Sequence, residues 1–300
     1  MNKIACALLA SAVFPLAAWA ADAPGPDWAF MTPSPDAPAP AAGGGGGGGA
    51  PAAPAATPAA PAGVPQIVVA GKGADVRPCN TCHTPSGMGQ PESANIRGLN
   101  AAYFTRQMAD FRDGKRTGPR AGAMIGFAKN LTDPEIKEIA DYYAGLKPSF
   151  WTKISEVKQA PKTMVQRNGA RTMVQDGGME DLGNRIIEVA ANPALVRQME
   201  QPAFTAYVPE GSVTKGMDIV TTGAGKTTQC RACHGDDLHG QIDFPSLAGR
   251  SPTYIARQLY SFKNGLRTGQ NAEIMKGVAQ NLTDDDIIAV AAYISSRDAS

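Results

Sequence analysis

Cys230-Arg231-Ala232-Cys233-His234 decides how this chain is read, and it has a twin at Cys79-Asn80-Thr81-Cys82-His83. Both are Cys-x-x-Cys-His, the signature of covalent c-type haem attachment. The spacing follows from the chemistry: two thiols add across the two vinyl groups on one porphyrin edge, and the adjoining imidazole then lies under the iron. Each motif therefore fixes position, orientation and one axial bond together. The competing reading is a zinc or redox Cys-x-x-Cys that happens to precede a histidine. A zinc site needs further Cys or His ligands, and the only others in the chain are Cys6 and His239.

Working outward, the two motifs align at a constant offset of 151 without a gap from Cys79 to Ala144. Tyr103 then meets Tyr254, Arg106-Gln107 meets Arg257-Gln258, and Phe111 meets Phe262. Arg116-Thr117-Gly118 meets Arg267-Thr268-Gly269, Met124 meets Met275, and Asn130-Leu131-Thr132-Asp133 meets Asn281-Leu282-Thr283-Asp284. Such a repeat marks two equivalent units, each complete around its own haem.

The apolar spacing of Ala102 to Arg112 and of Thr253 to Lys263 predicts amphipathic helices. Thr132 with Glu135, and Thr283 with Asp286, form capping boxes that open two closing helices. A short helix is expected before the second haem motif, at Val213 to Thr222, whereas Val64 to Gly71 reads as extended.

Five segments follow. Residues 1–20 carry Lys3, an apolar run and Ala18-Trp19-Ala20, and read as a secretory signal peptide, with an uncleaved anchor as the rival. Residues 21–65 are dominated by Pro, Ala and Gly, with seven consecutive glycines from Gly43, and read as a disordered arm. Within it Trp28, Phe30 and Met31 are either scattered apolar residues or anchors that dock on the folded body. Residues 66–150 form the first unit and 209–300 the second. The intervening 151–208 is expected to be an irregular wrapping strap, being too long for a plain linker.

Once Lys3 is removed with the signal, 27 basic residues stand against 27 acidic ones. That near-neutral balance argues against nucleic acid as partner. Export fits the motif, because bacteria attach c-type haem outside the cytoplasm. With Cys6 removed, the four remaining cysteines are all consumed by haem.

The sixth ligand has few candidates, since His239 lies only five residues past His234. Met124 and Met275 each lie 41 residues beyond their histidines, in equivalent places just before a capped helix. A methionine more often fills a core gap. Repeat equivalence favours ligation here, because Met88 pairs with His239 and Met108 with Leu259. A His/Met pair raises the reduction potential and closes the iron to substrates, which points to electron relay.

With both halves laid out, the chain resembles the diheme class I c-type cytochromes of the cytochrome c4 type. The likeness rests on the two haem motifs, Tyr254, Arg257-Gln258-Leu259, Phe262, Gly265, Arg267, Met275 and Leu282-Thr283, with their partners in the first half. It implies an all-α fold of two tandem class I cytochrome c domains and two covalently bound haem c. It implies covalent attachment at Cys79, Cys82, Cys230 and Cys233, and iron ligation by His83, Met124, His234 and Met275. In that family a loop carbonyl, often of a proline, accepts the proximal imidazole N–H, a place that Pro245 fits and Ala94 would share. Tyr103, Arg116, Tyr254 and Arg267, with Arg106 and Arg257, are candidates to neutralise haem propionates or to link the two domains.

The resemblance further implies a periplasmic carrier, with no catalysis of its own, relaying single electrons between a dehydrogenase or quinol-oxidising complex and an acceptor such as a terminal oxidase. Its partners would be redox proteins, including other cytochromes, with membrane association through a partner or an uncleaved anchor. The alternatives are a cytochrome subunit of a dehydrogenase complex and a diheme peroxidase. The arm and the long strap are additions to the family's usual core.

Overall fold

A computed structural model describes residues 24–38, 59–149, 151–198 and 203–299. The expected signal peptide and most of the arm, including the glycine run, lie outside the described residues. Within them the first unit contains α2 (Gln66–Ala70), α3 (Asn80–His83), α4 (Ala101–Arg112), α5 (Gly122–Asn130) and α6 (Asp133–Ala144), after a one-turn α1 (Asp27–Phe30). The second contains α7 (Ser212–Thr222), α8 (Arg231–His234), α9 (Pro252–Lys263), α10 (Ala272–Gln280) and α11 (Asp284–Ser295). Shifted by 151 residues, α3, α4 and α6 coincide end for end with α8, α9 and α11.

The repeat reaches the caps. Asn100 and Ser251 accept from the backbone at the start of α4 and α9, and Thr132 and Thr283 complete capping boxes on α6 and α11. Each unit buries its own apolar core. Ile136, Ile139, Ala140 and Tyr143 of α6 face Phe104, Met108 and Phe111 of α4. Ile287, Val290, Ala291 and Ile294 of α11 face Ile255, Leu259 and Phe262 of α9 and Ile219 and Val220 of α7. Helix α7 approaches so closely that a Cβ on Gly216 would overlap the Ala289 carbonyl oxygen. In the first unit the stretch expected to be extended instead makes one short helix, α2, whose Ile67 and Val68 are buried. Pro65 supplies its N-cap, where a missing N–H costs nothing.

The expectation of an all-α chain with an irregular strap is corrected between the units. Residues 151–208 hold seven strands: β1 (Thr152–Glu156), β2 (Gln159–Pro161), β3 (Thr163–Val165), β4 (Arg171–Met173), β5 (Met179–Asp181), β6 (Ile187–Ala190) and β7 (Phe204–Val208). β7 is central, parallel to β1 (Thr152↔Phe204) and antiparallel to β6 (Ile187↔Tyr207). β2 pairs with β5 and β3 with β4, both antiparallel. Strands this short, with β1 and β7 pairing across 52 positions of sequence (204 − 152), leave little alternation for a local pattern to show.

The sheet is fastened to the second unit by a buried carboxylate. Glu188 on β6 accepts from Thr152 Oγ1 at 2.9 Å and from Ser251 Oγ at 2.6 Å, while Ser251 caps α9. Burial pushes this carboxyl up, and the hydroxyl donors oppose that. On the first unit, Trp151 Nε1 donates to the Gly89 carbonyl at 3.1 Å, and Met88, Trp151, Val196 and Phe204 share a small core.

The disordered-arm expectation is also corrected for residues 24–38. Phe30 and Met31 are buried, and Trp28 and Phe30 lie with ring centroids 6.4 Å from Tyr260. Ser34 exchanges hydrogen bonds with Val165 on β3. Fully burying an aromatic contributes roughly 1.5–3 kcal/mol, enough, with these bonds, to hold a segment whose composition alone suggests a tether.

Asp286, the N3 residue of α11, has no exposed side-chain surface and takes Lys226 and Lys215 ammonium groups at 2.9 Å each. Burial pushes its carboxyl up, but bonds from Lys226, Lys215 and Thr283 outweigh it and hold the group well below the usual carboxylate range. A folded-state pKa below the unfolded value of about 3.9 means a stabilisation that is full above that value and is lost as pH falls through the folded one. Denaturant unfolding followed by circular dichroism should show wild-type stability falling from about pH 5 to about pH 2 more steeply than in Asp286→Asn. At neutral pH the variant should be less stable by about 1–3 kcal/mol. Equal slopes would contradict this role.

Candidate functional site

Two cavities, one in each unit, collect the residues singled out in the sequence. The first, of about 200 Å³, is lined by Cys79, Cys82, His83 and Met124 among apolar side chains such as Phe104 and Ile139. The second, of about 500 Å³, is lined by Cys230, Cys233, His234 and Met275, with Ile255, Leu259 and Val290.

The proximal side is built alike in both. The Cys-x-x-Cys-His motif folds as a single helical turn, so that both thiols and the imidazole reach one cavity. The chain then reverses through Gly89 N to His83 O at 2.9 Å and Gly240 N to His234 O at 2.8 Å. Both glycines have positive φ, 71° and 84°, and a Cβ on either would overlap a carbonyl oxygen of the returning strand. The reversal brings a carbonyl back to each imidazole. His83 Nδ1 lies 2.7 Å from Ala94 O, and His234 Nδ1 lies 2.8 Å from Pro245 O. With Nδ1–H donating, Nε2 is left as the acceptor, the tautomer a metal needs. Burial, the larger influence, lowers both imidazole pKa values, and the carbonyls oppose it, so the neutral form prevails.

Burial pushes the Cys79 and Cys230 thiols up to about 11. A disulfide exchanger works through a low-pKa thiolate instead. Among the described residues no group of three or more His, Cys, Asp or Glu is placed to hold a metal ion by itself. What each cavity offers is two thiols on one wall, an oriented imidazole, a thioether and apolar walls. That donor set fits covalently attached haem and does not fit zinc. Ala94 and Met124 line the first cavity, and Pro245 and Met275 the second.

Tyr103, Arg116, Tyr254 and Arg267 are brought together at the seam between the units. Arg116 donates to Gln107 Oε1, Gln258 Oε1 and Tyr254 OH, all at 3.0 Å. Arg267 answers, donating to Gln258 Oε1 at 3.0 Å, Gln107 Oε1 at 2.6 Å and Tyr103 OH at 3.2 Å. The backbone repeats the exchange, with Thr117 N to Leu266 O and Thr268 N to Lys115 O, both 2.8 Å. The repeat is therefore also a local two-fold, in which each half supplies what the other receives. Tyr103, Gln107, Tyr254, Gln258 and Arg267 line both cavities, so this seam is their shared wall.

Gln107 and Gln258 were visible in the alignment without being singled out. Their signal was position: each sits between a paired arginine and a paired aromatic residue. Arg106 and Arg257 reach the proximal loop of the opposite unit. Arg106 Nη2 donates to Asp243 O at 2.8 Å, and Arg257 Nη2 to Pro91 O at 2.9 Å. Arg257 also holds the arm through Ala29 O at 3.1 Å, and Phe30 of that arm lines the first cavity.

A family model described as Cytochrome c matches residues 220–298, the second helical unit. Cytochrome c4 of Pseudomonas aeruginosa is 29% identical over 220 residues, 72% of this chain and 82% of that protein. Cytochrome c-554(548) of Halomonas halodenitrificans is 42% identical over 77 residues, 25% of this chain and 93% of that protein. Among solved structures, thiosulfate dehydrogenase (TsdBA) of Marichromatium purpuratum superposes with a TM-score of 0.51 at 25% identity. It covers 76% of this chain, which spans only 38% of that longer one.

The shared glutamines set a test of the seam. Gln107→Leu and Gln258→Leu should each lower stability by roughly 1.5–3 kcal/mol, the range for hydrogen bonds to charged groups. Because both glutamines serve the same two guanidiniums, the double variant should cost less than the sum. Denaturant titration of the four proteins measures this, and strict additivity would show that the two sides act independently.

Proposed function

The chain belongs to the cytochrome c family and is cytochrome c4-like, and from that premise we propose that it is a two-haem electron relay with one haem c in each cavity. Cys79 and Cys82 would hold the first and Cys230 and Cys233 the second by thioether bonds, with His83 and Met124, and His234 and Met275, as axial ligands. The haem supplies a one-electron Fe(III)/Fe(II) couple when bound.

The chain's own residues orient and insulate that couple. The Ala94 and Pro245 carbonyls fix the imidazoles through Nδ1–H. Met124 and Met275 line equivalent cavities and would close the distal sides, where a soft thioether favours the reduced iron. Arg267 and the half-buried Arg116, Tyr103 and Tyr254 provide donors where the two cavities adjoin, the place for haem carboxylates. The observation that carries the reading is that one donor set recurs at a constant offset in two cavities with a common wall. A peroxidase needs an open iron position, and the two matched methionines, acting as ligands, would leave none.

The strand-bearing insert makes the two units unequal toward partners. It covers the first unit's proximal loop: Met88, Gly89 and Pro91 are buried, and Arg197 Nη1 donates to Thr81 O at 2.8 Å. The equivalent loop of the second unit stays open, with Ile242 84% exposed. A redox partner would meet the second unit's loop. The likeness to a thiosulfate dehydrogenase chain supports a dehydrogenase as donor, either as a separate protein or with this chain as its cytochrome subunit. The N-terminal segment supports export to the periplasm. Among the described residues no helix is long and apolar enough to cross a membrane.

Purified holoprotein should contain two haems per chain by the pyridine haemochrome assay, and its oxidised spectrum should carry a methionine–iron charge-transfer band. Met124→Ala and Met275→Ala should each remove about half of that band and open one iron to carbon monoxide, since each deletes one of two thioether ligands. A variant that keeps the full band, or a chain with fewer than two haems, would overturn the ligand assignment. Co-purification of the native protein with a dehydrogenase would separate the subunit reading from the free carrier.

A further inference from the structure

Ile242, at the tip of the second unit's proximal loop, is the most exposed large apolar side chain among the described residues. Its backbone is left-handed, with φ 47°. A β-branched residue is strained there and persists only where its surroundings hold it. They do so here. Gln241 and Phe244 exchange backbone hydrogen bonds at 3.2 and 2.8 Å across the tip, Asn100 Nδ2 donates to Ile242 O at 2.9 Å, and Arg106 Nη2 donates to Asp243 O at 2.8 Å. The last two donors belong to the first unit, so the contact between the units also fixes this tip. A single exposed apolar residue is ordinary. One held outward on a strained and braced turn lowers stability without any packing gain inside the chain.

Around the tip the chain is acidic. From Gly235 to Gly249 it carries Asp236, Asp237 and Asp243 and neither lysine nor arginine. Arg231 and Arg106 approach Asp236 and Asp243 only to 3.9 and 3.5 Å, and the Asp236 and Asp237 side chains stand 94% and 68% exposed. The same loop reaches the redox site: Asp243 and Phe244 line the second cavity, and the Phe244 ring lies edge-on to the His234 imidazole with centroids 6.0 Å apart. The first unit shows what covers such a loop. There Pro91, the counterpart of Ile242, is buried, and the insert brings Trp151 and Phe204 against Met88 and an arginine, Arg197, to Thr81 O at 2.8 Å. An apolar recess with a cation beside it is thus the built-in cover of one proximal loop, and among the described residues the other has none.

We infer that Ile242 is a docking knob set in an acidic collar, and that its partner is a redox protein presenting an apolar recess ringed by lysine and arginine. The inference rests on the two-haem reading above and specifies the partner surface. One electron passes from the reduced second centre to the partner's oxidised centre, with no bond formed or broken. Opposite charges steer the encounter, and the braced knob fixes its register.

The test is stopped-flow oxidation of the fully reduced holoprotein by a mitochondrial cytochrome c, whose haem edge is ringed by lysines, over a range of ionic strength. The second-order rate should fall as salt rises, because salt screens the attraction. Asp236→Asn combined with Asp237→Asn should lower the low-salt rate about tenfold and flatten its salt dependence. The same removal of two charges on α6, by Glu138→Gln with Asp141→Asn, should leave the rate nearly unchanged. Ile242→Gly should lower the rate about tenfold, as loss of a central anchor does, without lowering resistance to denaturant, because glycine suits the left-handed tip. Hexacyanoferrate(III), an anion, should instead react faster in the aspartate double variant and equally fast in Ile242→Gly. A rate with cytochrome c that rises with salt, or that neither loop variant moves, would overturn the proposal. So would a dimer that Ile242→Gly converts to a monomer in sedimentation, since the occupant would then be a second copy of this chain. Fewer than two haems in the wild type would defeat the two-haem reading itself, whereas two haems with unmoved rates would defeat only the docking role of this loop.

Discussion

Two glutamine oxygens, each shared between the buried Arg267 and the half-buried Arg116, hold the molecule together at its middle. Gln107 and Gln258 each accept from both Arg116 and Arg267, one guanidinium from each half. Two like charges held side by side repel, and the acceptors around them offset that cost only if both halves are present in one relative orientation. The same orientation makes six side chains line both cavities, Leu99 with Tyr103, Gln107, Tyr254, Gln258 and Arg267. Proximity of the two proposed redox centres thus follows from satisfying buried polar groups.

Around that symmetric middle the chain adds elements that are not symmetric. The seven-stranded insert ties β6 to the start of α9 through Glu188 and seals the first unit's proximal loop beneath Trp151. The arm seats Phe30 at the first cavity and hydrogen-bonds to β3. Both additions also pack on the second unit, through Glu188 at Ser251 and Phe30 at Tyr260, but they leave its proximal loop to solvent, with Ile242 84% exposed. A pair of duplicated units therefore becomes a directional object through what is packed around them.

What could be read from the sequence was whatever the repeat carried twice. The motifs, the helix caps, the paired methionines and the seam's tyrosines and arginines all announce themselves because the same residue recurs 151 positions later. The features outside the repeat were not legible. β1 and β7 are five residues each and pair across 52 positions (204 − 152), so neither shows a local pattern. Phe30 and Met31 sit in a Pro- and Ala-rich run whose average argues for disorder, and only a long-range contact with Tyr260 reverses it. The short helix α2 is set by Pro65 and by packing of Ile67 and Val68, while its β-branched residues favour an extended chain.

The central claim is that the shared wall makes the two centres one internally connected relay. Rapid delivery of less than one electron per molecule to the fully oxidised holoprotein tests it, by following how that electron redistributes between the two haems. The account predicts a redistribution rate that does not change with protein concentration. A rate proportional to concentration would mean that electrons pass only between molecules, and would contradict it.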